Sequence, residues 1–167
     1  TAKQVPVPEN AADEVLAMLE KVRKAKGKEK VAQLRKELQE TMDKNAQVFR
    51  TEETLQEAWD KIMELRKRYE NISIQDQGRR FNTDLLEAVE LGFLLDLAEV
   101  TVITCRERRE SRGAHLREDF PDRDDKKFMV HSMAYKVDKT DKATGTNIKL
   151  GWKPVVITNY QPMERKY

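Results

Sequence analysis

The feature that most constrains this chain is one long helical pattern, "FNTDLLEAVELGFLLDLAEVTVITCRERRES", over residues 81–111. Asn82 or Thr83 can cap its start, and Gly113 lies just past its end. At 1.5 Å per residue such a helix reaches roughly 45 Å. From Leu91 to Cys105 it is apolar on most sides, broken mainly by Asp96 and Glu99. A helix that is apolar nearly all round must be covered nearly all round. It is therefore the central helix of a bundle, or one flank faces a separate domain. Gly92 in its interior costs about 1 kcal/mol against Ala, so it marks an expected close crossing.

The preceding residues supply the other helices. Pro6 and Pro8 make "TAKQVPVP" extended. Val15, Met18, Leu19 and Val22 then follow helical spacing, with Asn10 as expected N-cap and Gly27 as expected C-cap. Val31, Leu34, Leu38 and Met42 share a face of a second helix that fades near Asn45. Thr51 can cap a third, striped by Leu55, Ala58, Trp59, Ile62, Leu65 and Tyr69. Glu52 and Glu53 open it, and Arg66, Lys67 and Arg68 close it, as the helix dipole favours.

Beyond Gly113 the period changes. Phe120-Pro121 stops any helix, and "KFMVHSMAYKV" alternates as a strand does, with Met129, His131, Met133, Tyr135 and Val137 on one face. "DKTDKATGTN" is rich in turn formers, and "IKLGWKPVVIT" reads as a returning strand, so the pair predicts a hairpin. The closing "NYQPMERKY" reads as extended. The predicted fold class is mainly α: a helical bundle over residues 1–115, then a charged crossover, a β-hairpin and an extended tail over 116–167. A lone hairpin is marginal in water, so the tail needs a surface to lie on.

Composition narrows the function. Hydrophobic residues make up 38% and charged residues 37%, which suits helices with solvated outer faces. The net charge of +2 offers no global field for nucleic acid or an anionic membrane. A single cysteine, Cys105, forms no internal disulfide and fits a reducing, cytoplasmic setting. No run is long and apolar enough to span a membrane, and no secretory h-region opens the chain. The first residue is not Met, which suggests a processed chain or a fragment of something longer.

The chemistry-bearing residues concentrate in "ESRGAHLREDFPDRDD", Glu110 to Asp125. Ser111 and His115 stand four apart, but Gly113 breaks the helix between them and no nucleophile elbow is present. Cys105, His115 and His131 lack metal-ligand spacing. No G-x-G-x-x-G or Walker loop offers a phosphate cradle, so no flavin or nicotinamide cofactor is expected in this chain alone. Residues 106–127 hold eight Lys/Arg against seven Asp/Glu, too balanced for counterion-driven nucleic-acid binding. Planar arginine forks beside carboxylates fit a fixed structural seam better than a plain solvated face.

The stretches "LRKELQETMDKNAQVFRTEETLQEAWDKI", "FNTDLLEAVELGFLLDLAEV" and "RRESRGAHLREDFPDRDDKKFMVHSMAY", with the ending "PMERKY", resemble the C-terminal part of succinate dehydrogenase and fumarate reductase flavoprotein subunits. The resemblance is collinear from about Val31 to Tyr167. L-aspartate oxidase shares a related "ESRG-x-H" segment, so its equivalent domain is an alternative, as is a stand-alone helical interaction module docking through residues 82–112. The resemblance implies a spectrin-like three-helix bundle packed on a flavin-binding domain. It implies a parent that interconverts succinate and fumarate, holds FAD, and passes electrons to an iron–sulfur subunit and on to quinone through membrane-anchor subunits. That parent would lie on the inner face of the cell membrane. No catalytic, cofactor or metal residue carries over to this chain. Glu110, Ser111, Arg112, Gly113, Ala114, His115, Arg117, Glu118, Asp119 and Pro121 carry over as the family's signature, with an expected structural role at the junction with the flavin domain.

Overall fold

In the computed structural model, which describes residues 5–142 and 144–163, the helices and hairpin fall where periodicity placed them, except that the longest helix ends early, at Glu107. The last four residues of "PMERKY" lie outside the described residues, as do residues 1–4. Helix α1 spans Asp13–Arg23, α2 Val31–Asn45, α3 Glu52–Tyr69 and α4 Thr83–Glu107, followed by the single turn α5, Asp125–Phe128. Strands β1 (Glu29–Lys30) and β3 (Ile72–Ser73) pair in parallel, as do β2 (Phe49–Arg50) and β4 (Leu116–Arg117). Strands β5 (Val130–Lys136) and β6 (Ile148–Pro154) form an antiparallel hairpin. The chain is mainly helical with small sheets, as expected.

Two expected caps hold. The Thr54 N–H donates to Thr51 Oγ1 at 3.2 Å, and the Leu85 N–H to Asn82 Oδ1 at 2.8 Å. Two expected roles at α1 do not. Its N-cap is Ala12, without a side-chain bond, because a turn over residues 9–12 precedes the helix. Its C-cap is Lys24, so Gly27 falls beyond it and serves another end. A Cβ on Gly27 would stand 1.9 Å from the Asn71 carbonyl oxygen. The bare glycine lets its N–H reach the Ile72 carbonyl at 2.8 Å, beside the β1–β3 pairing.

The chain divides into two compact units, residues 1–44 with 58–99, and residues 45–57 with 100–167. In the first, Val31, Leu34 and Leu38 from α2, Ala58, Ile62 and Leu65 from α3, and Ala88, Leu91, Leu95 and Ala98 from α4 form a bundle core. Charged pairs frame it. Arg68 meets Glu37 at 2.6 Å, Glu29 at 3.0 Å and Glu64 at 3.1 Å. Arg66 takes both carboxylates that interrupt α4, Asp96 and Glu99. The close crossing expected at Gly92 is made by Tyr69: a Cβ there would meet its hydroxyl at 2.8 Å, and that hydroxyl donates to the Ala88 carbonyl at 2.9 Å. Leu86, Phe93 and Leu94 of α4 remain exposed.

The second unit holds the hairpin and the signature. Ala46, Leu55, Val102, Ile103, Phe128 and Ile148 are its buried apolar residues. The hairpin face carrying Ser132 and Trp152, directly opposed, lies toward Arg108 and Phe128. The alternate face, read from sequence as Met129, His131, Met133, Tyr135 and Val137, is therefore the outer one.

Gly27→Ala should lower stability by about 1–3 kcal/mol in urea denaturation, because rigid backbone opposes the new methyl. Gly92→Ala should cost less, because a side-chain hydroxyl can yield.

Candidate functional site

The signature begins where α4 stops, five residues earlier than Gly113 suggested. At Glu107 the helix leaves carbonyl groups without intrahelical partners. Arg117 supplies them: its Nη1 donates to the Cys105 and Arg106 carbonyls at 2.9 and 3.1 Å. Its Nε and Nη2 grip Asp119 at 2.7 and 2.8 Å, and Nη2 also reaches Glu52 at 3.1 Å. A guanidinium has five N–H donors, and all five are used. Arg117 is completely buried. Asp119 turns its Oδ2 to the Glu52 N–H at 2.8 Å, satisfying a free donor at the start of α3. One arginine–aspartate pair thus ties the end of α4 to the beginning of α3.

Glu110 is the matching anionic hub, also completely buried. Its Oε1 accepts from Arg108 at 2.6 Å and Arg112 at 2.8 Å. Its Oε2 accepts from Arg112 at 3.0 Å and from the Asp124 N–H at 2.9 Å. Arg112 continues to Asp125 at 2.6 Å. Arg108 lies 5.5 Å from the ring centres of both Phe128 and Trp152, and donates to the Phe128 and Val130 carbonyls at 3.0 and 2.6 Å. The hairpin is thereby fastened to the end of α4.

Between the hubs the chain turns tightly. Gly113 adopts φ +59, and Arg112 and His115 exchange backbone hydrogen bonds across it at 2.7 and 3.0 Å. Ser111 Oγ accepts the Arg117 N–H at 2.8 Å and donates to the Phe120 carbonyl at 3.0 Å. Ser111 N–H reaches the Asp122 carbonyl at 3.0 Å, closing the loop that exposed Pro121 stiffens. His115 Nε2 faces the Arg108 carbonyl at 2.9 Å, which can only accept, and Nδ1 faces Arg50 Nη1 at 3.1 Å, which can only donate. The ring is therefore the neutral Nε2–H tautomer. Ser111 and His115 each serve these bonds and not one another, so the nucleophile pairing weighed from sequence does not form.

A family model described as fumarate reductase flavoprotein C-term matches residues 35–167. The chain belongs to that family. It is 44% identical over 153 residues to a succinate dehydrogenase flavoprotein subunit of Rickettsia bellii, covering 92% of this chain and 25% of that protein. It is 37% identical over 156 residues to a fumarate reductase flavoprotein subunit of Haemophilus influenzae, covering 93% and 25%. Among solved structures it is similar to an E. coli quinol fumarate reductase, with TM-score 0.84 and 33% identity over 96% of this chain and 27% of that one. The chain thus spans about a quarter of the length of these relatives.

In this flavoprotein C-terminal region, the sequence reading missed the partners that make the signature a site. Arg50 and Glu52 lie 65 residues from His115 and Arg117, and only the parallel β2–β4 register brings them together. Arg108 stood out only as one of a run of basic residues. An open groove of about 340 Å³ is bounded by Val100, Thr104, Cys105, His115 and Ser132. Burial pushes the Cys105 thiol up, only partly opposed by the Arg50 and Arg117 cations, so it is no ready nucleophile.

Titration follows from these contacts. The Asp119 carboxyl is held down at about 2, chiefly by Arg117 and against the opposing effect of burial. Burial lowers His115, opposed by its bond to the Arg108 carbonyl and reinforced by the neighbouring arginines. Both shifts favour the form present at neutral pH. Stability should therefore fall in two stages on acidification. The first, below the ordinary histidine value of 6.5, arises because the unfolded chain gains the His115 proton first. The second, between the ordinary aspartate value of 3.8 and about 2, removes about 1–2 kcal/mol as Asp119 protonates. Urea titrations across pH should show that His115→Gln removes the first stage, and that Asp119→Asn reduces the second without abolishing it, because Arg23 holds Glu20, and Arg68 with Lys61 holds Glu37, at about 2 as well. Arg117→Lys, with three donors and no fork, should cost about 2–3 kcal/mol, whereas exposed Arg109→Lys should stay within about 0.5 kcal/mol.

Proposed function

We propose that this chain is the C-terminal helical scaffold of a succinate dehydrogenase or fumarate reductase flavoprotein subunit and carries no catalytic residue itself. The observation that supports this most is the internal satisfaction of the signature. All five Arg117 donors and both Glu110 oxygens are engaged within the chain, leaving neither for a substrate carboxylate or a flavin pyrophosphate. The residues present therefore do not fit a flavin. FAD belongs to the parent, as do succinate–fumarate chemistry and transfer of electrons to an iron–sulfur subunit and on to quinone. Flavoprotein relatives four times as long leave ample chain for that machinery.

The scaffold's contribution is a docking surface. Leu86, Phe93 and Leu94 on the open flank of α4 offer apolar area to a flavin-bearing neighbour. Glu110, Ser111, Arg112, Gly113, His115, Arg117, Asp119 and Pro121 shape the turn of the second unit, which we assign to the junction with the flavin domain. Among the described residues no helix is long and apolar enough to cross a membrane. We assign membrane attachment to anchor subunits of the parent complex, at the inner face of the cell membrane.

The 167-residue chain, purified and dialysed against FAD, should return no bound flavin absorbance, and it should not reduce an artificial electron acceptor when given succinate. Stoichiometric flavin or measurable turnover would show that the chain carries chemistry of its own.

A further inference from the structure

The connector between α3 and α4 holds Phe81 in an unfavourable state twice over. It is the sole non-glycine residue at positive φ, +50, among the described residues, and its side chain is 100% exposed. A bulky residue rarely adopts that backbone conformation, and an aromatic ring in water forfeits its transfer free energy. Relaxation is blocked by side-chain bonds on both sides. Asp84 accepts the Gln75 N–H at 2.6 Å, and Asp76 accepts the Gly78 N–H at 2.7 Å. The Asn82 amide donates to the Asp76 and Gly78 carbonyls at 2.8 and 2.9 Å, and Arg23 to the Gln77 carbonyl at 3.0 Å. Strain over-determined in this way is a mark of function.

Two cationic residues precede Phe81 in sequence. Arg79 and Arg80 are exposed and show no ion pair among the described residues, whereas Arg23, Arg66 and Arg68 of the same unit all hold carboxylates. Aromatic and arginine side chains are the residue types that concentrate binding energy at interfaces.

We propose that Arg79, Arg80 and Phe81 form a docking knob that seats Phe81 in an apolar socket rimmed by carboxylates on the flavin-bearing part of the same polypeptide. The inference rests on the scaffold reading above. Size selects the occupant. One ring and two guanidinium groups bury far less than the roughly 1,200 Å² that a free protein partner needs. Covalent continuity supplies an effective concentration in the millimolar range, which makes so small a contact sufficient. The same size argues against a membrane surface, where stable attachment needs more than one buried apolar group.

Hydroxyl-radical footprinting with mass spectrometry compares the 167-residue chain with the whole flavoprotein subunit. Oxidation of Phe81 should drop about tenfold in the subunit alone. Protection that appears only with added partner subunits, or only with anionic vesicles, overturns the proposal, as does no protection anywhere. Leu86 and Phe93 in the same spectra report the wider docking: if they are protected and Phe81 is not, only the knob fails; if none is protected, the scaffold reading fails too. As a second measurement, Phe81→Asn, which tolerates the backbone conformation, should leave the melting temperature of the 167-residue chain unchanged or raised and lower that of the subunit. A fall in the isolated chain, or none in the subunit, overturns it.

Discussion

A buried guanidinium must have every N–H paired, and that requirement at Arg117 organises the whole end of the fold. Its acceptors come from three places: the last turn of α4, the first residue of α3, and the turn that carries Arg117 itself. Satisfying them fixes where α4 stops, where α3 starts and how the signature turn runs between. Removing one partner would leave a buried charge uncompensated, a far larger penalty than losing a surface ion pair. Glu110 repeats the logic with the opposite charge. It gathers Arg108 and Arg112, and Arg108 carries the hold outward to the rings and carbonyls of the hairpin.

This arrangement answers why so charged a segment is not a binding patch. In "ESRGAHLRED" the glycine permits the reversal, the serine closes it, and the neutral histidine braces it against Arg50. Acids and bases balance because they pair with each other. The outward-facing groups that stand out are the apolar side chains on the open flank of α4, and strained Phe81 beside two exposed arginines. The buried ion pairs and the exposed contact groups are different residues.

Much of this was legible in the sequence. Helical spacing located α2, α3 and α4, alternation located the hairpin, and Thr51 and Asn82 announced their caps, because each signal is local. Gly27 misled because a glycine's purpose depends on what approaches it, and here that is the backbone of Asn71, 44 residues away in number. The end of α4 was placed late because Arg108 to Arg112 suit a helix terminus by propensity, yet their side chains find better partners in Glu110, Asp125 and the hairpin. The signature was visible as a composition, but its Arg50 and Glu52 partners carry no local mark.

The most direct test is a double-mutant cycle on Arg117 and Asp119, with Arg117→Met and Asp119→Asn made singly and together and stability read by urea denaturation. If the pair is the constraint on which the fold's end depends, the two losses should fall short of additivity by about 1–3 kcal/mol. Losses that add to within about 0.5 kcal/mol would mean that the two side chains act independently, and the account of the signature as a single buried clamp would be wrong.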